Sequence, residues 1–157
     1  MNYIIVLCWL CACALQDAQQ RKIANLLTLG GLAVALLHLL WSGSSLTGAS
    51  PAAAALGMAA AGLLSLPGYL TRSMGAADVK MLVALGAASD ALHVLLSVIG
   101  AALVLIAWVI LVRACPAIAQ AIPRRLVFLR SPHAKDHPYA PFLLLGFAFT
   151  TLWLITQ

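Results

Sequence analysis

Residues 91–112 read ALHVLLSVIGAALVLIAWVILV, an apolar run that no Asp, Glu, Lys or Arg interrupts. A helix needs about 20 apolar residues to cross the hydrocarbon core of a bilayer. A soluble strand or core helix does not need such length. This stretch therefore reads as a transmembrane helix, and the rest of the chain is read outward from it.

On its N-terminal side, residues 78–89, DVKMLVALGAAS, form a short apolar helix of its own. It is too short to cross the membrane unaided. Before it come three further spans, over roughly 2–17, 23–41 and 52–70. They are separated by QDAQQRK and by the small, polar, uncharged segment SGSSLTGASP (42–51), and the third is followed by TRSMGAA (71–77). Gly57 and Gly62 in the third span permit close helix packing, within or between chains. On the C-terminal side, residues 113–137 hold five cations and three prolines among apolar residues. That composition reads as an interfacial segment lying on the membrane. A last span covers roughly 139–156. The fold expected is an all-α integral membrane protein of about six transmembrane helices, forming a single domain over 1–157.

Whole-chain composition agrees. Hydrophobic residues make up 64% of the 157 positions and charged residues only 8%. Soluble domains carry roughly a quarter charged residues. The net charge of +5 is explained by membrane loops and does not call for a nucleic-acid partner. With six helices and the N-terminus outside, all nine Lys and Arg residues fall in or beside loops 17–25, 71–78 and 113–137, which are then cytoplasmic. The asymmetry orients the chain N-out, C-out. Cys8 and Cys11 have metal-ligand spacing, but they lie inside an apolar helix with no second pair, and read as small packing residues.

The chain contains no Glu, and its carboxylate side chains are Asp17, Asp78, Asp90 and Asp136. Asp90 reads as the N-cap of the fifth helix, and Asp136 as a cap or loop charge. Asp17 closes the first helix on the same membrane face at which Asp78 opens the fourth. Asp78 taken alone reads equally well as an N-cap. Asp17 sits at a helix C-terminus, where the macrodipole disfavours an anion. Its structural reading is an ion pair with Arg21. Ionisable groups at the membrane edge are costly and are candidates for function. Two converging carboxylates can share a proton, one activating water while the other polarises a carbonyl. That chemistry needs no metal and no cofactor. With no Glu there is no His-Glu-x-x-His zinc motif, and the four histidines are scattered.

The stretches around these two residues resemble those of the type IV prepilin peptidases, intramembrane aspartic proteases. Their first motif is an Asp followed by a basic residue and Ile-Pro-Asn. Here D-A-Q-Q-R-K-I-A-N runs from Asp17 to Asn25, with Arg21 and Ile23 in place and Ala24 where Pro is usual. The second, Gly-x-Gly-Asp-Val-Lys-Leu, is matched by G-A-A-D-V-K-M from Gly75 to Met81, with Ala77 at the second Gly. P-Y-A-P-F (138–142) resembles the family's Pro-Tyr/Phe-Gly-Pro segment, with Ala140 at the Gly.

The resemblance implies that Asp17 and Asp78 are the catalytic pair. The implied substrate is the leader of a pilin or pseudopilin precursor, cut at the cytoplasmic face of the bacterial inner membrane. It points to Arg21, Lys22, Asn25, Gly75, Lys80, Tyr139 and Pro141 as residues that shape the site or meet the substrate or lipid phosphates. The chain starts directly at the first helix, without the family's N-terminal domain of two Cys-x-x-Cys pairs. It therefore resembles the short Flp/Tad-type members, for which cleavage without N-methylation is expected. Two other classes fit the same composition. A non-catalytic scaffold of a pilus or secretion assembly would leave the two Asp residues apart. A small transporter subunit would place carboxylates near the bilayer midplane.

Overall fold

The computed structural model describes residues 2–115 and 138–156. Six helices occupy the described residues: α1 (Tyr3–Gln20), α2 (Asn25–Ser42), α3 (Pro51–Leu70), α4 (Ala76–Ala88), α5 (Ala91–Ala114) and α6 (Ala140–Ile155). Each lies within a few residues of an expected span. Most of the interfacial segment expected over 113–137 lies outside the described residues, as do Asp136, His133 and His137.

Helices α2, α3 and α5 are long and apolar enough to cross a membrane. Large apolar side chains cover their outer faces: Leu26, Leu40 and Trp41 on α2 are 85%, 82% and 95% exposed. Water would not tolerate such a surface, whereas lipid does. This is a membrane protein. The helix ends follow ordinary chemistry. Ser50 caps α3 by accepting from the Ala53 N–H, with Pro51 beginning the helix. Asp90 caps α5 as expected, accepting from the His93 N–H at 2.9 Å, and its other oxygen meets His93 Nδ1 at 2.8 Å. Gly43 ends α2 in the left-handed region (φ 66°), the cheap residue for that turn.

Helix α4 lies inside, and α6 buries one face while Phe149, Leu152 and Trp153 on the other are exposed. Helix α4 packs on α2, α3 and α5, while α6 packs between α1 and α5. Seven of the thirteen residues of α4 are buried, from Met81 to Ala88. Close approach depends on glycine. A Cβ on Gly86 of α4 would lie 2.5 Å from the Gly57 carbonyl carbon of α3, and one on Gly146 of α6 would meet the Ser97 carbonyl of α5. Gly57 therefore does the packing expected of it. Gly62 makes no such contact with the described residues of its own chain, where an added Cβ would meet nothing within 4 Å.

Loop 43–50 closes one end of the bundle. The Asn2 N–H donates to the Leu46 carbonyl (2.7 Å) and the Thr47 N–H to the Ala88 carbonyl (3.1 Å). The other end gathers the charges. Arg21, Lys22, Arg72, Lys80 and Arg113 all lie there by helix order, as do Asp17 and Asp78. Two of these arginines hold left-handed backbones, Arg21 at φ 50° and Arg72 at φ 56°. Such a conformation costs a non-glycine residue about 1–2 kcal/mol. A cation beside a helix C-terminus recovers about 0.3–1 kcal/mol of that.

Candidate active site

Asp17 does not end its helix: α1 runs one turn further, to Gln20, and Arg21 closes it by donating its N–H to the Asp17 carbonyl at 2.8 Å. The Asp17 side chain is only 5% exposed. Its carboxylate accepts the Ala140 N–H at 3.0 Å, and the Tyr139 N–H also faces it. These are the first N–H groups of α6, which no side chain of its own caps. The unfavourable dipole of α1 is thus answered by the favourable one of α6. An anion that looks misplaced along the chain is well placed in space. Pro141 stands in this first turn of α6, where a missing N–H breaks no helical bond.

Asp78 lies in the first turn of α4. The N-cap there is Gly75, and the Asp78 carboxylate accepts the Gly75 N–H at 3.1 Å, one half of a capping box. A Cβ on Gly75 would stand 3.3 Å from Asp78 Oδ2. Glycine here gives the carboxylate room. Ala77, at the position of the motif's second glycine, has no positive φ, so its methyl group fits this turn.

Both carboxylates line one cavity of about 420 Å³. Arg21, Gly75, Pro138 and Tyr139 line it with them, together with Leu64, Gly68, Ser73, Met74, Val98, Ala102 and Leu105. Asp17 and Arg21 are close enough to Asp78 for their charges to act on it. The Tyr139 phenol lies near Asp78, and a phenol is neutral near pH 7. The cavity therefore holds two carboxylates, one guanidinium and a phenol beside an apolar wall.

Four of the residues singled out in the sequence, Lys22, Asn25, Lys80 and Pro141, do not line the cavity. Lys80 donates to Asn25 Oδ1 at 3.0 Å, tying α4 to the start of α2. Lys22 is exposed. Ala24 holds φ −60°, which a proline would share, but its N–H donates to Gln16 Oε1 at 2.9 Å and so fastens the α1–α2 turn. The sequence reading missed the wall supplied by α3 and α5. Leu64, Val98, Ala102 and Leu105 carry no chemistry that would mark them among other apolar residues. Among the described residues no group of three His, Cys, Asp or Glu side chains is placed to hold a metal ion.

No curated protein and no solved structure matches the chain. A family model does, that of the type IV leader peptidase family, over residues 4–111. The match covers more than half of the chain and includes both Asp17 and Asp78. The chain belongs to the type IV leader peptidase family.

Proposed function

We propose that the protein is an aspartic endopeptidase of the bacterial inner membrane that removes the leader of type IV, Flp-type prepilins or pseudopilins at the cytoplasmic face. The observation that carries the reading is the meeting of Asp17 and Asp78 in one cavity, 61 positions apart in sequence (78 − 17). The orientation rests on the positive-inside asymmetry of the six-span reading, which sets the charged end of the bundle in the cytoplasm.

Like charges this close do not both ionise easily, so one carboxyl keeps a proton. The ionised partner takes a proton from a water molecule as the oxygen adds to the scissile carbonyl carbon. The protonated partner gives its proton to the carbonyl oxygen. The tetrahedral intermediate then collapses: the C–N bond breaks and the amine leaves with a proton from the pair. Each carboxylate is held by backbone N–H groups at a helix N-terminus, so neither must reorganise during the reaction. The Tyr139 phenol, neutral and beside Asp78, is a donor for the substrate backbone. The leader's scissile bond must unwind to enter, because a helical peptide carbonyl is already hydrogen-bonded. Its apolar segment lies along Leu64, Val98, Ala102 and Leu105.

The test is cleavage of a co-expressed prepilin in membranes. Asp17→Asn and Asp78→Asn each keep size and shape but remove the shared proton chemistry. Each should reduce cleavage by at least about a thousandfold while leaving the protein in the membrane. Mature pilin formed at a normal rate by either variant would overturn the assignment. For the wild type a bell-shaped pH profile is expected. Activity falls in acid as the water-activating carboxylate is protonated, and in base as the shared proton is lost.

A further inference from the structure

The two carboxylates sit on helices whose backbones come close at few points. Helix α1 packs chiefly on α6, and α4 packs on α3 and α2. Packing between α1 and α4 therefore does little to fix the spacing of Asp17 and Asp78. The start of α2 links the two segments instead. The Ala24 N–H donates to Gln16 Oε1 at 2.9 Å, and Gln16 is the residue before Asp17. The next residue, Asn25, accepts through Oδ1 from Lys80 Nζ at 3.0 Å, and Lys80 lies two residues beyond Asp78. Two adjacent residues are thus tied, one to each of the segments that bear the carboxylates.

The turn between α1 and α2 needs such a fastening. It opens at Arg21, whose left-handed backbone (φ 50°) is costly for a non-glycine residue. Strained backbone persists only where its surroundings hold it. Further on, Ile23 is buried in the core. Ala24 is extended, at φ −60° and ψ 139°, and its carbonyl accepts the Leu27 and Thr28 N–H groups at 2.9 and 3.2 Å. An alanine side chain does not impose that conformation, since both the helical and the extended regions are open to it. The Gln16 hydrogen bond selects it. A proline would hold the same φ covalently, with no N–H to donate.

We infer that Gln16 is a positioning residue: through Ala24, Asn25 and Lys80 it couples α1 to α4 and sets the separation of the two catalytic carboxylates. The inference rests on the peptidase reading above. Neither Gln16 nor Lys80 lines the catalytic cavity, so their contribution runs through the two aspartates. Proton sharing between carboxyl groups depends on their spacing. A misplacement of about 1 Å can cost a reaction roughly a hundredfold. Two hydrogen bonds in series hold only as well as the weaker one, so breaking either releases the coupling.

The experiment uses purified full-length protein in detergent. The substrate is a synthetic peptide with a polar leader, a glycine and an apolar segment, and Asp17→Asn is the inactive control. Gln16→Met keeps the side-chain length and removes the acceptor. Its kcat should fall roughly tenfold with KM little changed. Its bell-shaped pH profile should also narrow, because carboxyl groups held less firmly together perturb each other less and the two limbs draw closer. Ala24→Pro holds φ near its present value. In the Ala24→Pro background, Gln16→Met should cost less than about twofold. Lys80→Met breaks the other bond, so its loss should resemble that of Gln16→Met and persist alongside Ala24→Pro. The variant carrying both Gln16→Met and Lys80→Met should lose no more than the worse single one. Wild-type kcat and pH profile in Gln16→Met overturn the coupling and leave the peptidase standing. So does a fall in kcat with both pH limbs unmoved and a lowered unfolding midpoint, since Gln16 then serves stability alone. A loss that Ala24→Pro does not repair overturns it as well. No cleavage by the wild type, equal to the Asp17→Asn control, sinks both readings.

Discussion

Helices α4 and α6 differ from α2, α3 and α5 in a way that explains the site. The long helices face lipid over most of their surface. Helix α4 buries most of its length in protein, and α6 buries one face while Phe149, Leu152 and Trp153 on the other stay exposed. A helix exposed to hydrocarbon has to span it, about 30 Å thick, whereas a helix shielded by its neighbours does not. At 1.5 Å per residue, the thirteen residues of α4 reach only about 20 Å. Helix α4 is therefore too short to cross the hydrocarbon alone. The N-terminal N–H groups of α4 and α6 are turned toward the carboxylates that line the cavity. Asp17 and Asp78 each take up such a group, one on α6 and one on α4. The outer helices keep the bundle in the membrane, and the short ones create the cavity.

The contrast can be broken most severely where an inner helix touches an outer one. Gly86→Leu forces a side chain into the backbone of α3 at Gly57. The expected loss is about 3 kcal/mol or more, read as a lowered midpoint of unfolding in detergent, with cleavage lost as α4 shifts. An unfolding midpoint unmoved by Gly86→Leu would show that α4 and α3 do not meet there.

Next come paired truncations. Leu85 on α4 is fully buried, while Leu40 on α2 is 82% exposed. Leu85→Ala should cost about 2 kcal/mol, chiefly in lost packing, because lipid supplies no hydrophobic drive between helices. Leu40→Ala should change stability by less than about 0.5 kcal/mol. Equal effects in a denaturation series would erase the inner–outer distinction.

Gly75→Ala acts on geometry more than on stability. The new methyl stands 3.3 Å from Asp78 Oδ2, so the carboxylate must give by a few tenths of an ångström. Cleavage should fall roughly tenfold, with little change in unfolding. Wild-type turnover in this variant would mean that the position of Asp78 is not critical. The smallest effect belongs to Gly62→Ala on the open side of α3. With no neighbour to strike, it should stabilise by about 0.5–1 kcal/mol through helix propensity. A loss of stability there would reveal an unseen contact, such as a second copy of the chain.

Much of this was legible along the chain. Helix ends are local events, and the polar breaks at QDAQQRK, SGSSLTGASP and TRSMGAA mark them without reference to the rest of the molecule. Helix alternation put Asp17 and Asp78 at one end, and the flanking motifs named them. The partner of Asp17 was not legible. Its carboxylate is held by Ala140, 123 residues away, and an alanine N–H has no signature in sequence. Nor did the sequence distinguish Gly57 from Gly62, or mark α5 as a wall of the cavity.

Among the described residues, the sequence by itself marked where helices form, where they break and which ends are charged, because hydropathy and turn chemistry act over neighbouring residues. Tertiary structure alone decided which helices lie inside and which faces meet. The helices are apolar nearly all round, so no polar stripe says which side turns inward. Close contacts at Gly57, Gly86 and Gly146 select the packing, and that packing brings the two carboxylates to the same cavity.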